Sequence, residues 1–203
     1  MTKSGWMLME LADGDLSTLL SDAALPWPTT LNLLQQGAVG LEYVHSRQPP
    51  LIHGDVKDKN FLYLKIGDAK YDVKLADFGL TTELRDWTTM SLRGVKGTPL
   101  WQAPELFNGE PPSLQSDVFS FGLIMHAAVA RLPLYGTGTR QLAMIGKKAK
   151  GEPPCVVERH HCPDELRELM GRCCALDPRD RPTMKDVTEC LSRLPMDWEP
   201  GQQ

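Results

Sequence analysis

The stretch Leu51-Ile-His-Gly-Asp-Val-Lys-Asp-Lys-Asn-Phe-Leu62 sets an apolar pair and His53 ahead of Asp55, Lys57 and Asn60. An acid, a cation and a neutral amide fall close enough together for one extended loop to direct all three at one point. Gly, Asp, Lys and Asn are also turn formers, and for Asp55 taken alone a solvated polar turn is the favoured reading. Two strings further along the chain change that balance. Asp77-Phe78-Gly79 comes first, and then Ala103-Pro104-Glu105. Three short strings in a set order carry far more information than any one of them.

In this order the strings resemble the catalytic loop, the metal-binding triplet and the end of the activation segment of a eukaryotic protein kinase of the Ser/Thr type. The resemblance runs from about Trp6 to about Leu194 and covers the C-terminal lobe only. It implies ATP-dependent phosphorylation of Ser or Thr in protein substrates, assisted by Mg²⁺. Phosphoryl transfer asks for positioning and charge neutralisation rather than covalent chemistry. By the resemblance, Asp55 accepts a hydrogen bond from the substrate hydroxyl, and Lys57 sets a positive charge beside the transferring oxygens. Asn60 and Asp77 offer Mg²⁺ the oxygen ligands it prefers. One departure stands out. The family usually carries His-Arg-Asp where this chain has His53-Gly54-Asp55. That Arg commonly contacts a phosphorylated residue of the activation segment, which Gly54 cannot do. Activity is therefore expected not to depend on loop phosphorylation through that contact, with Gly54→Arg as the test.

Upstream, Trp6 to Leu11 reads as a buried strand running into the turn at Ala12-Asp13-Gly14. It resembles the strand and hinge between the two kinase lobes. That match makes Met9 the gatekeeper, gives the backbone of Glu10 to Ala12 to the adenine edge, and brings Asp15 toward the ribose. Plain core packing is the alternative for Met9. Asp15 also suits the N-cap of a short helix over Leu16–Leu20. Pro26 and Pro28 are expected to break the chain, with Thr29 or Thr30 capping a helix to about His45. Leu31, Leu34, Ala38, Leu41 and Val44 fall at helical spacing on one buried stripe. Gly37 and Gly40 weaken this helix unless a neighbour packs closely against it.

Beyond the loop, Phe61–Leu64 and Tyr71–Leu75 are short apolar runs arranged as a hairpin. By the resemblance, Leu62 packs beneath the adenine, while His53 and Phe78 join the apolar column linking the lobes. His53 is read as packed rather than as a general base. Leu80 to Gln102 corresponds to the activation segment. Thr81, Thr82, Thr88, Thr89, Ser91 and Thr98 are candidate phosphorylation sites there, with Arg93 and Lys96 as receivers. Gly97-Thr98-Pro99 with Trp101 resembles a Ser/Thr substrate platform, which implies that Thr98 contacts Asp55 and Lys57. The helix opening at Ser116-Asp117 is apolar almost all round, so it is buried on every side. In the family, Asp117 accepts backbone N–H bonds from the catalytic loop, and Trp is usual where Phe119 stands. Arg181 would pair with Glu105.

A helix over about Arg140–Lys150 ends in Lys147, Lys148 and Lys150. It is read as a solvated basic end, which suits the helix dipole. Cys155, His160, His161 and Cys162 lack the C-x-x-C pairs of common zinc sites and read as an ordinary loop. Residues 195–203 are expected to fray.

The chain has 203 residues, 41% hydrophobic and 24% charged, with net charge −4, an ordinary globular composition that suggests no nucleic-acid or membrane attraction. Five clustered cysteines, an odd number, argue against a disulfide framework and for a reducing, cytoplasmic setting. The expected fold is mainly α with small strand pairs, a kinase-like C-terminal lobe over residues 1–194 truncated before the glycine-rich loop. The face where the other lobe would sit, with Leu8, Met9, Leu62 and Phe78, is expected to lie open and to call for a partner. The resemblance supports two functions: a Ser/Thr kinase that is weak or inactive as this chain alone, or a silent, pseudokinase-like module docking partners. A non-kinase scaffold ranks below both.

Overall fold

Apolar spacing and turn residues set most of the elements. The computed structural model of the chain describes residues 9–21, 25–83 and 98–199. Seven helices lie among them: α1 (Leu16–Leu20), α2 (Trp27–His45), α3 (Pro104–Phe107), α4 (Leu114–Ala130), α5 (Gln141–Ala149), α6 (Asp164–Cys173) and α7 (Met184–Arg193). Strands β1 (Gly14–Asp15), β3 (Phe61–Gly67) and β4 (Lys70–Leu75) form one antiparallel sheet in the order β1-β3-β4. β2 (Leu51–Ile52) pairs with β5 (Thr82–Glu83), Leu51 opposite Glu83 and Ile52 opposite Thr82. That small ladder ties the start of the Asp55 loop to the segment after Asp77.

α4 is the centre of the core. Fourteen of its residues are buried, from Ser116 to Ala130. Ser113 caps it in a reciprocal box with Ser116, so Asp117 is free for another task. α6 lies so close that a Cβ on Gly122 would stand 2.8 Å from Cys173 Cβ and Cys174 Sγ. α2 buries the expected stripe of Leu31, Leu34, Ala38, Leu41 and Val44. Its Gly37 admits the rings of Phe61 and Phe121 to 3.3 Å of where a Cβ would stand, the close packing that compensates for weak helix propensity.

Three expectations are corrected. Met9 to Leu11 form no strand, and Met9 and Leu11 are exposed rather than packed. Trp6 and Leu8 lie outside the described residues. α2 starts at Trp27, earlier than expected, because Pro28 falls in its first turn, where a missing N–H costs nothing. Thr29 and Thr30 are buried inside the helix, and Thr30 Oγ1 donates back to the Pro26 carbonyl. The C-terminal segment is docked as far as Trp198: Trp27 Nε1 donates to Pro195 O at 2.8 Å, and the Trp27 and Trp198 rings meet edge-on at 5.4 Å.

Burial in α4 lowers the pKa of His126 from 6.5, with a smaller opposing contribution from its Nδ1 contact to the Gly122 carbonyl. The folded chain keeps this imidazole neutral where the unfolded chain has already taken up a proton. Stability therefore falls as pH drops below about 6.5. Urea midpoints taken across that range are expected to decline, and the decline is expected to flatten in His126→Gln.

Candidate active site

The loop between β2 and β3 is held from below. Asp117 on α4 receives the backbone N–H of His53 at 2.7 Å through Oδ2 and of Gly54 at 3.0 Å through Oδ1. His45, the last residue of α2, reaches the same carboxylate at 3.0 Å. Its position at a helix end carried no mark of this role. His53 is fully buried, with Nε2 3.0 Å from the Ala76 carbonyl and its ring 5.3 Å from that of Phe78. It fastens the loop to the triplet and has no access to a reacting proton.

Above this base the polar groups converge. Lys57 Nζ lies 2.5 Å from Asp55 Oδ2. Asn60 Nδ2 donates to the Asp55 carbonyl at 2.8 Å and reaches Asp55 Oδ2 at 3.4 Å. The amide nitrogen of Asn60 is thus spent on Asp55, which leaves its oxygen as the atom to offer a cation. Asp77 projects an exposed carboxylate from a backbone at φ 61°, with Gly79 N–H on Oδ1 at 3.3 Å. A non-glycine residue in the left-handed region is uncommon and marks a conformation imposed by its surroundings. The backbone bond from Ala76 N to Asn60 O, 2.8 Å, brings the two strings side by side. An amide oxygen and a free carboxylate are hard oxygen donors, a set that fits Mg²⁺.

Next to them is an apolar hollow. Met9, Glu10, Ala12, Leu62 and Ala76 line a cavity of about 270 Å³, large enough for a flat heterocycle against Leu62. Phe78 is 49% exposed and Met9 57%, so the top of this region lies open. Asp15 is used as the cap of α1, accepting from Ser17 N at 3.0 Å.

Behind the site, Arg181 and Glu105 form a two-pronged pair at 2.6 and 2.9 Å. Thr98 does not reach Asp55 or Lys57 by a hydrogen bond; its carbonyl accepts from Trp101 N–H in a turn. Thr88, Thr89, Ser91, Arg93, Lys96 and Gly97 lie outside the described residues. The basic end of α5 is not all solvated. Lys148 is buried, and burial lowers the pKa of its ammonium from the usual lysine range, with the Glu105 carboxylate opposing that shift more weakly. A run of lysines gives no sign of which one turns inward.

Gly54 has φ +78°, and a Cβ there would stand 3.2 Å from the Leu80 carbonyl. Arg restored at this position would carry both strain and a contact, so it tests more than a phosphate link. Gly54→Ala is expected to cost about 1–2 kcal/mol of stability, the penalty of a left-handed L-residue, read as a lowered urea midpoint.

A family model described as the protein kinase domain matches residues 2–191. The chain belongs to the protein kinase family. It is 33% identical over 188 residues to the mouse (Mus musculus) dual specificity testis-specific protein kinase 2, covering 90% of this chain and 32% of that one. To the dual specificity protein kinase shkA of Dictyostelium discoideum it is 33% identical, covering 93% and 36%. To the serine/threonine-protein kinase pakG of the same organism it is 36% identical, covering 88% and 15%. The chain spans about a third or less of the length of these kinases. No described helix is long and apolar enough to cross a membrane.

Proposed function

We propose that this domain transfers the γ-phosphoryl group of ATP to Ser or Thr hydroxyls of protein substrates. The observation that carries this reading is the convergence of Asp55, Lys57 and Asn60 on one loop, beside the exposed carboxylate of Asp77. Asp55 accepts the hydrogen bond of the incoming hydroxyl and orients it. Lys57 balances that carboxylate and faces the transferring oxygens. Asn60 and Asp77 hold Mg²⁺, and Leu62 supports the adenine, with the backbone from Glu10 to Ala12 at its edge. Bound ATP supplies the phosphoryl group and Mg²⁺ the neutralising charge. Asp15 turns toward the ribose only by giving up part of its cap. Met9, Leu62 and Ala76 are among the described residues that line the nucleotide hollow, and slow turnover is proposed for the 203-residue chain by itself. Ser/Thr rather than Tyr acceptors are favoured by Lys57, through the family resemblance. The odd number and clustering of the cysteines in the sequence support a cytoplasmic setting.

The open apolar face at Met9 and Phe78 favours a second reading, a module that docks a partner without turnover. Incubation of the full-length protein with γ-labelled ATP, Mg²⁺ and a degenerate Ser/Thr peptide mixture separates the two. Label on peptide is expected. Nucleotide binding without label would favour the docking module.

A further inference from the structure

The segment from Thr98 to Gln102 has no regular secondary structure, so its shape depends on where its carbonyls find donors. All five are accounted for. Thr98 O accepts from Trp101 N–H at 2.9 Å. Trp101 O accepts from the Ser120 hydroxyl on α4 at 2.7 Å. The remaining three converge on one atom: Lys148 Nζ of α5 donates to Pro99 O at 3.2 Å, Leu100 O at 2.6 Å and Gln102 O at 2.6 Å. Lys148 is 2% exposed, and its ammonium lies 5.4 to 5.8 Å from the ring centres of Phe107, Phe119 and Tyr135. Three carbonyl dipoles aimed at one point repel one another unless a cation sits there. An ammonium has three protons to give and the aromatic faces favour its charge.

We propose that Lys148 is the positioning residue of the protein-substrate platform, its buried ammonium gathering the carbonyls of Pro99, Leu100 and Gln102 into the shape that receives residues flanking the phosphorylated hydroxyl. This rests on the kinase reading of the Asp55 site for its substrate, though not for the clamp itself. Lys148 acts through the loop, and it does not line the nucleotide hollow of Met9 and Leu62. The anchored loop leads directly into Ala103 and the Glu105–Arg181 pair, so one end is fixed by that pair and the middle by Lys148.

The test uses the full-length protein and Lys148→Met, which keeps the length of the side chain and removes its donors. Hydrogen bonds to a charged donor are strong enough that their loss is expected to raise the KM for a degenerate Ser/Thr peptide mixture about 10-fold or more. The KM for ATP is expected to stay within about 2-fold. Amide exchange over residues 98–103 is expected to accelerate by about 10-fold or more while α4 and α6 keep their protection. A cavity of about 130 Å³ lies beside Lys148, lined in part by Tyr135, His126, Glu152 and Cys174. Ethylammonium added to Lys148→Ala is expected to enter it and restore protection, which a mere packing role would not allow. Equal losses for peptide and ATP, with exchange over 98–103 unchanged, would overturn the proposal. If the wild type transfers no phosphate, the kinase reading fails and the exchange measurement still decides the clamp. If neither variant folds, the wild-type Lys148 ammonium decides by NMR: slowly exchanging Nζ protons coupled to the carbonyls of Pro99, Leu100 and Gln102 support the clamp, and a freely exchanging ammonium overturns it.

Discussion

Asp55→Asn is expected to lower phosphoryl transfer by about 10²–10⁴-fold, the range over which a positioned acid or base contributes, while leaving the fold intact. Asn has the same shape, and the bonds that shape the loop do not depend on the carboxylate. Asn60 Nδ2 donates to the main-chain carbonyl of Asp55, and Asp117 holds the backbone N–H groups of His53 and Gly54. What changes is the acceptor. One carboxylate oxygen becomes an amide, and the charge that binds Lys57 at 2.5 Å disappears. Steady-state transfer from γ-labelled ATP measures the loss, and the thermal midpoint checks the fold. An equal fall in kcat and kcat/KM would assign the lost interaction to the transition state. Turnover close to wild type would remove Asp55 from the catalytic role.

Arg181→Ala is expected to cost about 3–5 kcal/mol of stability, the usual consequence of breaking a buried ion pair from one side. The side chain of Arg181 is fully buried and that of Glu105 is 7% exposed. The guanidinium also donates to the carbonyls of Ala175, Gln115 and Leu176, and it lies 4.9 Å from the centre of the Phe119 ring. Its removal strands a carboxylate and three acceptors together. Urea unfolding at neutral pH gives the number. A loss under about 1 kcal/mol would mean that water reaches Glu105 readily and that the pair does not anchor the segment. The double change Glu105→Gln with Arg181→Met is expected to cost less than Arg181→Ala alone, since it leaves no uncompensated charge.

The Glu105–Arg181 pair, 76 residues apart, was read only through the family resemblance, whereas the catalytic-loop and Asp77 strings were legible as short ordered motifs. So was the stripe on α2, since helical periodicity sorts apolar residues onto one face. Asp117 was readable only through the family resemblance. Its partners lie 63 and 64 residues away in sequence, and no local pattern links them. The strand expected over Trp6–Leu11 fails, within the described Met9–Leu11, for a related reason. A short apolar run has no state of its own, and with no strand paired to it among the described residues Met9 and Leu11 lie exposed.

What the sequence determined by itself was therefore a family, an order of elements and the acid, cation and oxygen groups proposed for the site. Spacing suffices for Asp55, Lys57 and Asn60, which fall within six residues, and the order of the motifs adds Asp77. Tertiary structure decided the rest. It turned Lys148 inward from a basic run, recruited His45 to Asp117, set Gly54 in a left-handed turn against Leu80, and laid Trp198 on Trp27. Each depends on a contact between segments far apart in the chain. Burial and hydrogen-bond partners exist only once the segments meet, so composition and local pattern carry no record of them.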